Sequence, residues 1–420
     1  MMLAPVTQAP PAHPASQRRT LSAIEWLNFF LADVQTGLGP FLAACLAASG
    51  WRASRVGFAL TLAGLVTVGM QIPAGGIIDA VHRKRLLIGG GLAVLTAGAL
   101  LLVGPLTPLR VYSAQVLIGG AGPFLAPTVT AITLGVVGAA AFDRQFGRNQ
   151  AFNSAGNVIT ALVIAWISYH IGFRAIFILA AALTLPAVAS LLAIDRSQID
   201  YRRARGASSS DGSNRAEHLR LLARDRVLLA FLVCVFLFHL ANAAMLPDLG
   251  EMLARGKTRD AGPFMAACII VTQTVIALSA TWIGRAAGTW GRKPLLLIGF
   301  GVLPVRGVLY TLVHGTVPLV AVQLLDGVAN AIFGVVSILV IADRTRGTGR
   351  FNLAAGILAT AVGIGAALSN TVGGELIEAV GFSASFLGLA AIAAVAFALV
   401  ATIVPETRTT QAIEAPAAAR

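Results

Sequence analysis

Gly75-Gly76-Ile77-Ile78-Asp79-Ala80-Val81-His82-Arg83-Lys84 and Gly284-Arg285-Ala286-Ala287-Gly288-Thr289-Trp290-Gly291-Arg292-Lys293 are two short basic stretches, each set between long apolar runs and lying 209 residues apart. Outward from them the chain keeps the same register. Gln115 and Gly119 match Gln323 and Gly327, 208 apart, and Gly172-Phe173 matches Gly381-Phe382, again 209 apart. Asp143-Arg144 and Asp343-Arg344 are each followed by a Phe-Asn pair, Phe152-Asn153 and Phe351-Asn352. Matches that recur in order at one offset mark an internal duplication, with two copies of one structural unit.

Each copy holds six apolar runs. The predicted spans are 23–46, 56–78, 86–104, 111–137, 151–170 and 175–194, then 227–247, 263–283, 295–313, 317–341, 352–374 and 382–404. An apolar run of about 20 residues crosses hydrocarbon as a helix because every backbone amide is then satisfied within the segment. Hydrophobic residues form 57% of the chain and charged ones 12%, far from a soluble balance. The expected fold is an all-α membrane protein of twelve transmembrane helices in two pseudosymmetric six-helix bundles, 23–194 and 227–404. The Arg- and Ser-rich stretch 195–226 reads as a linker, and 1–22 and 405–420 as tails.

The net charge of +13 invites a nucleic-acid reading, but its distribution excludes one. With twelve spans, 23 of the 31 Lys and Arg fall on one side, 7 on the other and one, Arg306, within a span. This is the positive-inside bias, and it places both termini in the cytoplasm of a cell inner membrane. The first apolar run has no small-residue cleavage site and reads as an anchor, not a signal peptide. Cys45, Cys234 and Cys268 have spacings that fit neither a metal site nor a disulfide framework, and read as packing residues. No Gly-Lys-Ser or Gly-Lys-Thr loop occurs, which argues against an ATP-driven pump. No cofactor or metal is expected, and nothing in the sequence supports an enzyme.

The loop Gly75-x-x-x-Asp79-x-x-His82-Arg83-Lys84, with its partner Gly284-x-x-x-Gly288-x-x-Gly291-Arg292-Lys293, resembles the loop motif of the major facilitator superfamily. With twelve spans and a long central linker, the chain resembles this family over 23–404, in its bacterial type and similar to efflux permeases. His82 replaces the usual Gly in the first copy, and Gly288 replaces the acid in the second. The resemblance implies alternating access and a cytoplasmic latch at Gly75, Asp79, Arg83, Lys84, Arg292, Lys293 and Arg350, with Asp79 near the start of span eleven. The plainer alternative is that these basic loops set topology only. Gln115 stands where the family often has Arg in span four, and Ala155-Gly156-Asn157-Val158 lacks the Gly-Pro signature of proton-coupled drug antiporters.

Charge inside hydrocarbon calls for an explanation. Asp33, His239, Arg306 and Asp326 fall well within spans. The resemblance implies that spans one, four, seven and ten line a cavity, and polar residues concentrate there: Asn28 and Gln35, Gln115, Asn242, and Gln323, Asp326 and Asn330 on one face of span ten. Arg306 and Asp326 flank one short turn at similar depth, so they either pair or leave Arg306 free for an anionic substrate. Asp33 is the expected proton carrier and His239 a second proton or substrate contact, unless each is merely satisfied by polar neighbours. Pro40 and Pro247, 207 apart, are expected to let spans one and seven bend at an outer gate. The expected function is a proton-coupled secondary transporter, acting as a monomer, that exports a small organic molecule. A proton-coupled importer of an organic anion is the alternative, and a membrane receptor the reading from another class.

Overall fold

The computed structural model describes residues 15–36, 38–201, 225–256, 258–345 and 351–408, leaving aside the side chains at 15, 33–36, 38, 79, 139–140, 143, 258 and 351–352. The elements are α1 (Ala15–Thr36), α2 (Leu38–Ala48), α3 (Ala53–Ala80), α4 (Lys84–Val103), α5 (Pro108–Val137), α6 (Ala139–His170) and α7 (Arg174–Ala193). A 3₁₀ turn at Arg196–Gln198 follows, then α8 (Arg226–Asn242), α9 (Met245–Gly256), α10 (Thr258–Thr289), α11 (Arg292–Leu312), α12 (Thr316–Thr345), α13 (Phe351–Val380) and α14 (Phe382–Ile403). No strand occurs among the described residues.

Eleven segments are long and apolar enough to cross a membrane, α8 and α9 counting as one. The twelfth crossing is α1 followed by the short apolar α2. This is a multi-pass membrane protein of two six-span bundles, and its skin is apolar: Leu100, Leu109, Leu162, Trp166, Leu185 and Val317 are all exposed. With an even number of crossings, both described ends lie on one face, hereafter the terminal face.

Local signals set the helix ends. Pro108 opens α5 behind Thr107, whose hydroxyl accepts from Arg110 N. Asp225 caps α8, accepting from Val227 N and Leu228 N at 3.0 Å. Gly172 and Gly381 start matched turns at φ of 113° and 86°, a region that favours glycine, so the duplication is visible in backbone geometry.

Span seven is interrupted at Ala243 and Ala244, and Pro247 is the third residue of α9, where a missing N–H costs no helical bond; Pro40 lies at the matching place in α2. Span seven runs on to Gly256, nine residues past the expected end at 247, because α9 continues beyond the break. Asp248 and Glu251 therefore lie inside a span, contrary to their expected place in a loop.

Packing is unequal along the membrane normal. One apolar cluster includes residues of both bundles, among them Phe41, Val56 and Phe177 with Met245, Leu249 and Phe264. Two others are confined to single bundles, one around Leu27, Leu92 and Ile132, the other around Phe231, Phe300 and Val340. The shared cluster lies opposite the terminal face. The bundles are thus fused at that end, where α2 packs on α9, α3 on α13 and α6 on α10.

Small residues permit this approach. A Cβ on Gly57 would overlap the carbonyl of Asn370, one on Gly64 the side chain of Ala367, and one on Gly374 the backbone of Ala53. Gly363 and Gly365 also pack closely, on Val68 and on α8, whereas Gly90 in the Gly89-Gly90-Gly91 run faces open space. Cys45, Cys234 and Cys268 are free and buried.

Candidate functional site

A cavity of about 740 Å³ opens between the bundles. Its wall is Gly39 and Pro40 of α2, a stripe of α3 that includes Thr67, Gln71 and Gly75, Gln115 and Pro123 of α5, and Ala243, Leu246, Pro247 and Asn370 from the second half. Among the described residues the wall carries no charged side chain, and its polar groups are amides and hydroxyls. Gln115 is buried, donates from Nε2 to Ala59 O at 3.2 Å, and so turns a neutral amide toward the cavity where a charge is common in the family.

A clamp closes the end away from the terminal face. Glu378 of α13 forms an ion pair with Arg52 and accepts from Ser54 N at 3.2 Å and from the Ser54 hydroxyl. About two turns deeper, Thr61 Oγ1 donates to Ala367 O at 2.6 Å and shares a 2.7 Å contact with Thr371 Oγ1. Arg255 reaches Trp51 O at 2.9 Å, and Arg259 reaches Tyr169 O at 3.2 Å with its guanidinium over the Tyr169 ring. Toward the terminal face the described ion pairs stay within one bundle: Glu25 with Arg148, Arg292 with Asp343, and Arg344 with Asp225. Among the described residues the cavity is therefore shut at the far end, and no such clamp joins the bundles at the terminal face.

Span ten places its polar stripe elsewhere than expected. Arg306 and Asp326 meet at 2.7 Å, 1% and 7% exposed. Arg306 Nε donates to Tyr310 Oη at 2.8 Å, and its Nη groups reach Asn242 Oδ1 and Gln323 Oε1. Gln323 donates to Tyr310 Oη at 2.7 Å, while Thr272 and Asn330 donate to the Asp326 carboxylate at 3.1 and 2.9 Å. Asn242, Arg306, Gln323, Asp326 and Asn330 thus form one network inside the second bundle, and none lines the 740 Å³ cavity. The expected lining by spans one, four, seven and ten becomes, among the described residues, one by spans one, two, three, four, seven and eleven. The physical reason is charge: the intramembrane guanidinium draws its neighbours' polar groups inward to satisfy five donors.

Asn28 bonds to Ile24 O at 2.8 Å and borders a separate crevice of about 140 Å³ with Asn149 and Asn153. His239 packs edge-on to Phe333, ring centroids 4.6 Å apart, and its Nε2 is buried with no hydrogen-bond partner among the described residues. The side chains of Asp33 and Gln35 lie outside the described residues, as do those of Asp79 and Asn352 and the whole of Arg350, so the expected approach of Asp79 to span eleven falls there too. Of the other loop residues, Gly75 lines the cavity, and Arg83 is exposed. Lys84 is buried with Nζ donating to Ile78 O at 2.6 Å, Arg292 pairs with Asp343 at 3.0 Å, and Lys293 Nζ donates to Ala401 O at 2.8 Å.

Two acids escaped the sequence reading. Asp248 and Glu251 are 3% and 1% exposed on α9. The Asp248 carboxylate lies against Gly373 and hydrogen-bonds to Ser385, with Oδ2 unpartnered; Glu251 faces Arg255 at 3.6 Å. Their spacing of three on one helix was visible, but a span ended at Pro247 put them in water.

The family model for the Major Facilitator Superfamily matches residues 26–285 and 261–419. The chain belongs to this superfamily. It is similar to an uncharacterized MFS-type transporter of Mycobacterium tuberculosis (strain ATCC 25618 / H37Rv), 40% identical over 395 residues, 93% of this chain and 94% of the relative. It is also similar to multidrug resistance protein MdtG of Erwinia billingiae (strain Eb661), 32% identical over 115 residues, 26% of this chain and 27% of that one. The crystal structure of the nucleoside transporter NupG superimposes with a TM-score of 0.74 at 16% identity, over 92% of this chain and 99% of that one. The superfamily member described here is thus a transporter and not an enzyme.

Proposed function

We propose that this chain is a proton-coupled, alternating-access exporter of a small organic molecule that is uncharged or weakly charged and largely apolar. The single observation that carries the reading is the cavity, whose described wall holds no charged side chain and whose far end is clamped by Glu378 and Thr61. The positive-inside bias makes the open terminal face cytoplasmic, so this is a state ready to load cargo from inside an inner membrane. Similarity of one quarter of the chain to MdtG, a multidrug resistance protein by name, supports export. Import of an organic anion loses its support because Arg306 is neutralised by Asp326 and sealed from the cavity.

Asp33 carries the proton in this reading, on α1 ahead of Gly39 and Pro40 of the cavity wall. His239 supplies a second polar contact, and the buried Asp248 beside Pro247 is the other carboxylate placed to load a proton as the bundles move. The test is transport in proteoliposomes with an imposed pH gradient, using a panel of apolar compounds. Asp33→Asn should abolish the pH-driven component and leave folding intact. Full coupling in Asp33→Asn with loss in Asp248→Asn moves the role to α9, and full coupling in both ends the proposal.

A further inference from the structure

The cavity between the bundles uses its hydrogen-bond donors on its own wall. Thr67 has a single O–H, and it is shared by two backbone carbonyls, Ala63 O at 2.9 Å and Gly119 O at 3.0 Å. The Gly119 carbonyl is available because residue 123 is a proline, whose missing N–H leaves the helical bond four residues back unmade. Gly119 also lies so close to α3 that a Cβ would overlap the Ala63 carbonyl, and that approach lets the Thr67 hydroxyl reach α5. The amides follow the same rule. Gln115 is 4% exposed and donates from Nε2 to Ala59 O at 3.2 Å, and Asn370 donates from Nδ2 to Ala366 O at 3.0 Å. A carbonyl can only accept, so each amide is fixed with its nitrogen on a helix and its oxygen unused.

What the wall leaves for a ligand is mostly oxygen. Gln115 and Asn370 both line the cavity, and among the described residues no group donates to Gln115 Oε1 or Asn370 Oδ1. Pro127, also in the wall, removes the N–H that would otherwise serve Pro123 O, which adds a backbone acceptor. Helix α8 ends at Asn242, beside the wall residue Ala243, so its carbonyl end and the negative end of its dipole lie at the same cavity. Gln71, which makes no hydrogen bond among the described residues, can turn either end of its amide to a ligand. No Lys, Arg or His lines the described wall, and the Arg306 guanidinium is sealed inside the second bundle.

A buried acceptor left without a donor is costly, so this wall favours cargo that brings N–H groups over cargo that brings more oxygen. A protonated amine supplies several donors in charge-assisted bonds, and its charge suits the carbonyl end of α8. A carboxylate would set oxygen against oxygen. We propose that the cargo is a lipophilic amine whose N–H groups donate to Gln115 and Asn370, an inference that rests on this cavity being the cargo site. Those two amides then set specificity, and the apolar remainder of the wall takes the hydrocarbon part.

The test is calorimetric binding to the purified full chain in detergent, with three probes on one skeleton: phenylbutylamine, phenylbutyltrimethylammonium and phenylbutanoate. The trimethylammonium probe keeps the charge and loses the donors, so it separates the two contributions. The amine should bind about tenfold or more tighter than either other probe, the factor expected of a hydrogen bond to a charged group. Gln115→Leu and Asn370→Leu should each weaken amine binding about tenfold and leave the trimethylammonium probe unchanged. Gln115→Lys, which turns the acceptor into a donor, should reverse the order and favour the carboxylate, a result that loss of fold does not produce. An amine bound no tighter than the other two probes, or not bound at millimolar concentration, overturns the proposal, and so does an unchanged order in Gln115→Lys. Amine binding without pH-driven transport in proteoliposomes upholds the cargo class and removes proton-coupled export instead.

Discussion

Arg306 and Asp326 meet at 2.7 Å across the turn between α11 and α12, both buried, and carry with them a network that includes Asn242, Tyr310 and Gln323. Because the pair is sealed from the cavity, its removal is a matter of stability first. Arg306→Leu or Asp326→Leu alone strands a buried charge and should lower unfolding stability by about 3–5 kcal/mol. The double replacement by Leu should recover much of that loss. Denaturant unfolding in detergent reads both.

Glu378 joins α13 to Arg52 and Ser54 of the first bundle. Arg52 is largely exposed, so the ion pair adds little and the Ser54 bonds add about 1 kcal/mol. Glu378→Gln should raise the outward-open population about fivefold. Labelling of Thr61→Cys from outside by an impermeant thiol reagent should speed up in proportion.

Gly57 touches the backbone of α13 so closely that a side chain cannot fit. Gly57→Val should cost closure about 1–3 kcal/mol by overpacking and bias the protein away from the state described. Gly147→Ala, which meets open space, is the control that should leave the same labelling rate unchanged.

Glu406 is held below the usual carboxylate range by backbone donors. A depressed folded value means that its contribution is complete above its unfolded value, about 4.3, and fades as pH falls through the folded one. Glu406→Gln should therefore be less stable than the parent at pH 7, with a gap on the order of 1 kcal/mol for a cap. The gap should start to narrow as pH falls below about 4.3 and keep narrowing through the depressed folded value, as pH-dependent Tm measurements would record.

The matched turns at Gly172 and Gly381 were legible because duplication and backbone chemistry are written into single residues. The destination of span ten's stripe was not. Gln323, Asp326 and Asn330 share one face in any helix, but whether that face meets water or Arg306 depends on rotation of α12 against α11, which a periodicity does not encode. Asp248 and Glu251 were missed for the opposite reason: a proline inside a broken span looks like an end.

Thr61 and Thr371 face each other across the bundle boundary with hydroxyls 2.7 Å apart, which makes them the direct handle on alternating access. Replaced together by cysteine and oxidised, they should form a disulfide that holds the far face shut. Proteoliposome transport should then stop and return on reduction. Undiminished transport with the disulfide intact would contradict the account, because cargo would be crossing without the halves parting.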